Sequence, residues 1–516
     1  MVEHVVRSPK DLQSACDAAG PGDSIVVHGR SYPGPTPARL SGVKGTPERP
    51  LLIRAGDDGW ISGAASPDPL WGDKPPAEDA PKKPDVDDFA FLVLIDCEHV
   101  VIDGLKLREF WPSILVIKNS RFVTIRNCVL RHGTYAIFAK ADKDAPEKTS
   151  HLLIESNEWQ QDDSPDHALW TRLEWARAHG DEDSDGLLRY YNGGFLSAKG
   201  IAGKVVVRGN CIMDAYNGVR MKGVEADADA PVPPSDINAD VHIFDNDFVR
   251  IRDNPIEPEA SAWNWHVRHN RLLDCHSWFS FDGVRGGYWY FYGNTGRFES
   301  RQGVPGQSGH TMGRVLKLSY AAKPDDEGEP AVPDAPWYVF NNSWHLRCPI
   351  VGGANRKLPD FGEGPDYTAH LTFFNNAFAW CSPARDGDWV CERIEMLRNF
   401  DLKSSTGTTF DYDICDRRDF FDELQRQRRP EKHGRVVTRP IFVNAAAGNF
   451  ALASRSGARA SGAAKGVAMC GSRGKAKPRT QGGKLNRGAV QDYGLIQVPH
   501  LEAQAADLLA EMTANS

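Results

Sequence analysis

Two glutamates in a short acidic segment offer the strongest case for chemistry in this chain of 516 residues. The segment runs from Arg252 to Glu259 and reads Arg-Asp-Asn-Pro-Ile-Glu-Pro-Glu. In a β-strand Glu257 and Glu259 point to the same side, because alternate side chains share a face. Two carboxyl groups on one face can act as acid and base on a glycosidic bond. With Asp253 they could instead bind a Ca²⁺ ion that holds a uronate carboxylate and acidifies the neighbouring proton for β-elimination.

A charged residue also recurs at a corresponding position in a series of short segments in which we expect alternate side chains to leave the core. These segments are 114–118, 136–140, 195–199, 219–222, 256–259, 279–282 and 315–318. Their charged members are, in the same order, Lys118, Lys140, Lys199, Lys222 with Arg220, Glu257 with Glu259, Asp282, and Lys317. If the segments are neighbouring strands about 4.8 Å apart, these residues form one column of cations with an acidic patch set into it. The alternative is a solvated sheet face whose charges only keep the edges soluble.

A repeated asparagine predicts the scaffold that would hold this column. A short alternating strand followed by a polar turn recurs, and its copies end at Asn157, Asn210, Asn246, Asn270, Asn294, Asn342 and Asn376. A strand-based repeat with a step of 24 residues predicts a solenoid, a parallel β-helix in which each coil buries its inner face on its neighbours. We expect the asparagines to stack in one ladder from coil to coil. The step of 48 residues before Asn342 suggests one coil without its asparagine.

The first coil needs a cover, because a bare coil is an unpaired sheet edge. Ser8 as a cap, Pro9 at the first helical position and Gly20 beyond the end predict a helix over about 9–19 that covers it. Residues 1–400 are then the β-helix with its N-terminal cap. Residues 401–516 are predicted to form a C-terminal wrap and the closing segment of the β-helix.

Composition excludes several classes of function. The formal net charge is −8, so nothing global favours nucleic acid or a membrane surface. No apolar run approaches the length of a bilayer span. The ten cysteines are scattered without a CxxC pair, which predicts buried free thiols. No signal peptide is recognisable, so we expect a cytoplasmic protein, or a periplasmic or secreted one if a signal was removed.

Stretches near both ends of the chain resemble a known group of enzymes. Those near the start are Pro21 to Val27, Tyr32 to Gly34, Gly45 to Ala55 and Ile61 to Gly63. They are similar to the opening of right-handed parallel β-helix enzymes that act on polysaccharides, notably the chondroitinase B and alginate lyase type. Later stretches, Pro440 to Val443, Asn449 to Leu452 and Gly488 to Gln491, are similar to the closing segment of such proteins. The resemblance implies an all-β fold, a single-stranded right-handed parallel β-helix with loop insertions, while this architecture hosts several reactions.

The spacing of Glu257 and Glu259 resembles the Ca²⁺ ligands of the chondroitinase B type, which would make Asp253, Glu257 and Glu259 a metal site. The resemblance ends after that pair. Those lyases carry a Lys on the same coil, whereas 260–264 contains none. Their Arg on the next coil is replaced by Asp282, with Arg285 three residues later. Carboxylates on adjacent coils are similar instead to the acidic cluster of the polygalacturonases.

These features favour a glycoside hydrolase acting on an anionic, uronate-containing polysaccharide, with no required cofactor. We expect Glu257, Glu259, Asp282 and Lys222 to be catalytic. The residues expected to bind substrate are Arg220, Lys199, Lys140, Lys317, Arg285, His276 and Trp263. Two alternatives stay open: a Ca²⁺-dependent polysaccharide lyase, and a non-catalytic glycan-binding or tail-spike-like protein. Nucleic acid and membrane insertion are not expected.

Overall fold

The structure is a computed structural model, and it describes residues 1–33, 37–63, 85–173, 178, 191–223, 238–281, 284–298, 314–318, 335–346, 351–353, 371–380, 397–398, 409–426, 431–459 and 499–513. Its described strands form three long parallel sheets of thirteen, twelve and eleven strands. Successive coils contribute one strand to each sheet, so the chain is the all-β parallel β-helix that the asparagine repeat predicts. A further pair of described strands, Phe442–Asn444 and Asn449–Leu452, is antiparallel.

We number the sheets in the order in which a coil visits them. Sheet 1 contains Glu3–Val6, Ser24–Val27, Leu51–Ala55, Glu98–Asp103, Arg121–Arg126, Ser150–Glu155, Gly203–Arg208, Ala239–Phe244, Ser261–Arg268, Arg285–Tyr292, Trp337–Phe340, Leu371–Phe374 and Thr409–Asp411. Sheet 2 contains Ile61–Ser62, Lys106–Arg108, Val129–Arg131, Glu158–Gln160, Cys211–Ala215, Asp247–Ile251, Arg271–Leu273, Thr295–Arg297, Ser343–Leu346, Ala377–Trp380, Ile414–Cys415 and Arg435–Val436. Sheet 3 contains Ala38–Ser41, Leu92–Ile95, Ser113–Lys118, Tyr135–Lys140, Gly194–Lys199, Asn217–Lys222, Ile256–Glu259, Ser277–Phe281, Arg314–Leu318, Val351–Gly353 and Leu397–Arg398. The described α-helices are Pro9–Ala18, Ala168–Arg172, Asp419–Arg426 and Pro499–Thr513.

The asparagines form the predicted ladder in the turn between sheets 1 and 2. Each Nδ2 donates to the Oδ1 of the next asparagine over 2.9 to 3.1 Å, from Asn157 through to Asn376. Each Nδ2 also donates to a backbone carbonyl of the preceding coil, and each Oδ1 also accepts from a backbone amide. The last asparagine, Asn376, donates to the carboxylate of Asp413 over 3.0 Å. Asp413 therefore continues the ladder by one coil.

The step of 48 residues holds no additional coil. Asn294 donates directly to Asn342 over 3.1 Å, and Trp289 is paired with Trp337 in sheet 1. The expectation of a coil that lacks its asparagine is therefore wrong. The extra residues lie between two strands that are neighbours in the sheet.

The charged segments form the third strand of each coil. A short strand of sheet 2, such as Val129–Arg131, lies between the asparagine turn and the strand of sheet 3. Hydrophobicity alone gives no signal for it, because three residues are too few to show an alternation. The charged column consequently lies on sheet 3.

Helices cover the first coil and one outer face of the solenoid. Ser8 caps the N-terminal helix Pro9–Ala18, which buries Leu12 against the core as predicted. The C-terminal helix Pro499–Thr513 packs on the outer face of sheet 1, where Met512 meets Leu153. This helix therefore shields part of the outer face of sheet 1 from solvent.

The described cysteines are free thiols, as predicted: Cys16, Cys97, Cys128, Cys211, Cys275 and Cys415. All except Cys211 are buried. In the described part of the chain, no helix has the length and apolar character needed to cross a membrane.

Replacing Asn246 with Ala should destabilise the solenoid by at least about 2 kcal/mol, because it leaves buried donors and acceptors on Asn210 and Asn270 without partners. The measurement is chemical denaturation followed by circular dichroism. Asp247→Ala is the matched control, since its ion pair with Arg271 is exposed to solvent and should contribute about 0.5 kcal/mol or less. Equal unfolding midpoints for the two variants would contradict the structural role of the ladder.

Candidate active site

Sheet 3 places the first four lysines in the register that the sequence predicts, but Lys317 pairs with Ser280 and so lies two residues out of that column. Lys118, Lys140, Lys199 and Lys222 are direct partners on successive strands, and Lys222 pairs with Glu259 on the next. A second column lies two residues earlier. It contains Val116, Phe138, Ser197, Arg220 and Glu257. Both columns face outward, because the intervening Met221 lies in the hydrophobic core.

The Arg220 guanidinium joins the two glutamates. Its Nε and Nη2 donate to Oε1 of Glu259 over 3.1 and 2.7 Å, and Nε lies 3.4 Å from Oε2 of Glu257. Both carboxylates contact the same nitrogen, Nε, at 3.1 Å for Glu259 and 3.4 Å for Glu257. The distance between the nearest oxygens of the two carboxylates therefore cannot exceed the sum of these two distances. Nη1 donates to Oδ1 of Asn192 over 2.9 Å. Although burial works to lower it, Glu257 and Glu259 raise the pKa of the Arg220 guanidinium, which therefore stays charged.

Glu257 is the buried member of the pair. Its side chain is 7% exposed, compared with 24% for Glu259. Its Oε1 accepts hydrogen bonds from Nδ2 of Asn254 over 2.8 Å and from Oγ of Ser280 over 3.2 Å. Burial raises the pKa of Glu257 to about 7, and this effect outweighs the opposing charges of Arg220 and Lys317. Glu257 can therefore hold a transferable proton near neutral pH beside an ion-paired carboxylate.

Tyr135 lies close to the same group. The charges of Arg220 and Glu259 act on its phenol in opposite directions, and burial raises the pKa of Tyr135. Its ring meets Phe138 edge to face at 5.0 Å between centroids. Tyr135 and Phe138 thus form an aromatic surface on the N-terminal side of Arg220.

The lysines of the column differ in their surroundings. Lys118 is 2.9 Å from Asp142, and Lys140 is 3.9 Å from Asp87. Lys199 is exposed, and no carboxylate in the described ranges forms an ion pair with it. Two further described cations are close to the glutamates in the register of sheet 3: Lys222 as the neighbour of Glu259, and Lys317 one strand beyond Ser280.

Other residues expected at the site lie around it or elsewhere. His276 is buried just before a sheet 3 strand, with Nδ1 4.0 Å from Asp253, and burial holds the pKa of His276 well below its usual range. Trp263 lies on sheet 1, where its ring meets Tyr288 edge to face, so it is not placed with the glutamates. Asp282 lies outside the described residues. Arg285 begins a sheet 1 strand, and its side chain lies outside what the structure describes.

The surroundings of the glutamates do not fit a Ca²⁺ site formed by Asp253, Glu257 and Glu259. A Ca²⁺ ion would have to lie between the carboxylates, and that position is taken by the charged Arg220 guanidinium. Asp253 faces His276. Within the described ranges no cluster of three His, Cys, Asp or Glu side chains is arranged to hold a metal ion.

Sequence reasoning missed Asn254, Ser280, Asn192 and Tyr135 as neighbours of the glutamates. Ser280 could have been found, because it occupies the place next to Glu257 once the strands are aligned. Asn192 lies in a connection between coils, where no repeat fixes its position. Asn254 lies in the turn before its strand, which a strand alignment leaves out.

No family model matches the chain, and no curated protein matches it in sequence. Solved structures with a similar backbone include a mutant of the PL6 family alginate lyase AlyGC, at 12% identity and a TM-score of 0.38, covering 80% of this chain and 51% of that one. The pectate lyase Pel9A is 11% identical with a TM-score of 0.36, covering 95% of this chain and 96% of that one. A GH136 lacto-N-biosidase from Eubacterium ramulus is 10% identical with a TM-score of 0.43, covering 80% and 67%.

The chain thus spans about half the length of AlyGC. The parallel β-helix that the sequence resemblance implied is shown by the chain's own sheets. At these identities and TM-scores, nothing about the reaction of this chain follows.

Replacing Glu257 with Gln should stabilise the protein at pH 8 and leave its stability at pH 4 nearly unchanged. The pKa of Glu257 is raised from 4.5 to about 7, so the folded state keeps a proton that the unfolded state releases. As the pH rises from 4.5 to about 7, the parent therefore loses at most about 3 kcal/mol of stability. The Gln side chain does not ionise, so the variant does not show this loss. Unfolding free energies of both proteins across pH provide the measurement.

Glu259→Gln is the control for this effect. It removes the carboxylate that accepts two hydrogen bonds from Arg220, so it should destabilise the protein at pH 8. If the difference in unfolding free energy between the parent and Glu257→Gln does not vary with pH, Glu257 is not a buried, protonated carboxyl.

Proposed function

We propose that this chain is an enzyme that cleaves glycosidic bonds of an anionic, uronate-containing polysaccharide on the outer face of sheet 3. One observation carries the proposal: a buried carboxyl, Glu257, lies beside the ion-paired Glu259 at the end of a column of lysines. Paired carboxyl groups of unequal protonation are the requirement for acid–base cleavage of a glycosidic bond. The lysines supply the complementary charge for acidic sugars.

In the hydrolytic reaction, Glu257 donates its proton to the glycosidic oxygen as the bond to the anomeric carbon breaks. Glu259 either takes a proton from the attacking water or attacks the anomeric carbon itself. Arg220 holds Glu259 in place through two hydrogen bonds. Lys222 and Lys199, on the two strands that precede Glu259 in the sheet, bind carboxylates of the sugars on that side of the cleaved bond.

A β-elimination is the second candidate, favoured by the position of Arg220. In an elimination, a fixed cation must neutralise the uronate carboxylate while a base removes the neighbouring proton. Arg220 could provide this cation without Ca²⁺, and Glu257 in its ionised form could act as the base. A glycan-binding protein without activity is the third reading, and the same experiment separates all three.

The test is incubation with uronate-containing polysaccharides, such as alginate and polygalacturonate, read by two assays. Hydrolysis gives new reducing ends without ultraviolet absorbance, whereas elimination gives reducing ends together with the absorbance of an unsaturated uronate. Glu257→Gln and Glu259→Gln should each lower turnover by about a hundredfold or more. Full turnover in both variants would remove these residues from the reaction, and binding without any product would leave a glycan-binding protein.

Replacing Lys222 with Ala should weaken the binding of an anionic oligosaccharide about three- to tenfold and reduce its dependence on salt. The physical reason is that Lys222 is the lysine adjacent to Glu259. Lys118→Ala is the matched control, because it removes a lysine of the same column that lies three strands away from Lys222. Calorimetric titration at several ionic strengths makes the comparison, and equal affinities for the two variants would contradict a substrate role for Lys222.

A further inference from the structure

The two oxygens of the Glu257 carboxyl have different surroundings. Oε1 accepts from Nδ2 of Asn254 over 2.8 Å and from Oγ of Ser280 over 3.2 Å. Oε2 lies on the side of Arg220, at 3.4 Å from Nε, which is longer than a charge-assisted hydrogen bond. A carboxyl oxygen that already accepts two hydrogen bonds is a poor position for a proton, because its lone pairs are engaged.

We propose that Asn254 and Ser280 are positioning residues that hold Oε1 of Glu257 as an acceptor and so direct the transferable proton to Oε2. The inference rests on the proposed function, in which Glu257 is the acid. Oε2 is the oxygen on the side of Arg220, whose guanidinium also binds Glu259. The proton is then on the side of the carboxyl from which it must be donated.

The positioning residues are themselves fixed by the neighbouring coil. Asn254 is fully buried, and its backbone N–H donates to Oδ1 of Asn217 over 3.0 Å. Its carbonyl accepts from the amide of Gly218 over 3.0 Å. Ser280 is also fully buried, within the strand Ser277–Phe281. Because both donors are buried and approach the same oxygen, together they favour one orientation of the carboxyl.

Two opposing effects act on the pKa of Glu257. Burial raises the pKa of Glu257, while hydrogen bonds donated to the carboxylate favour the ionised form. Removing a donor should therefore raise this pKa further. A general acid works only while protonated, so the descending limb of the pH–kcat profile should move to higher pH.

The activity test compares Asn254→Ala and Ser280→Ala with the parent. Each variant should lose about tenfold or more in kcat with little change in KM, because the proton is no longer directed, and should shift the descending limb upward. Ser197→Ala is the matched control. Its hydroxyl is buried in the same column of sheet 3, and it has no hydrogen-bond partner among the described residues. It should leave the limb in place.

A second readout needs no substrate. The carbonyl stretch of protonated Glu257, assigned by infrared difference between the parent and Glu257→Gln, gives its titration directly. In Ser280→Ala, Glu257 should titrate at higher pH than in the parent, and in Ser197→Ala it should not. The Ser280→Ala variant also provides the test if Asn254→Ala fails to fold.

The outcomes separate the two proposals. Titration at higher pH in Ser280→Ala without cleavage of any glycan would keep the positioning role and reject the proposed function. Suppose instead that the parent cleaves a glycan, but neither the descending limb nor the titration of Glu257 moves in Asn254→Ala and Ser280→Ala. That result would overturn the positioning role alone.

Discussion

The buried asparagine ladder is the interaction on which the rest of the molecule depends. Each carboxamide donates both to the next member of the ladder and to a backbone carbonyl, and its oxygen also accepts from a backbone amide, so a shift of one coil by a residue would leave several buried polar groups without partners. The ladder thereby fixes the register of sheet 1, and the short strands of sheet 2 carry that register to sheet 3. Columns of side chains on sheet 3 are a consequence of this register. The ladder ends on the carboxylate of Asp413, which accepts from Asn376.

At the candidate site, register brings together groups that are costly to bury. Glu257 lies on the strand next to Arg220, and the burial that raises its pKa to about 7 destabilises its ionised form. Arg220 offsets part of this cost by lying between Glu257 and Glu259. One guanidinium thus lies between a buried and a more exposed carboxyl and occupies the space that a shared metal ion would need. The burial of Glu257 therefore lowers the stability of the protein at high pH.

Much of this arrangement could be predicted from the sequence because a solenoid repeats. The expected strands of sheet 3 agree with the observed ones to within two residues, and the lysine column is in register, since the distance from each asparagine marker is nearly constant. Asp413 also had a signal, because Phe410 to Asp413 continues the repeated phrase with Asp in place of Asn.

Features that depend on connections between coils could not be predicted. Asp87 and Asp142 approach Lys140 and Lys118 from such connections, and no periodicity indicates where these acids lie. The rotamer of Arg220 decides whether it binds a ligand or joins Glu257 to Glu259, and a sequence does not specify a rotamer. The C-terminal helix Pro499–Thr513 packs on a sheet more than a hundred residues away in sequence, a contact that local patterns do not encode.

The most direct test of the account is a crystal structure of the Glu257→Gln variant with a uronate oligosaccharide bound across the cleavage point. The account predicts that a glycosidic oxygen lies within about 3 Å of the residue 257 side chain, on the Arg220 side, with a uronate carboxylate beside Lys222. An oligosaccharide bound on another sheet, or one whose glycosidic bonds all lie out of reach of residues 257 and 259, would contradict it.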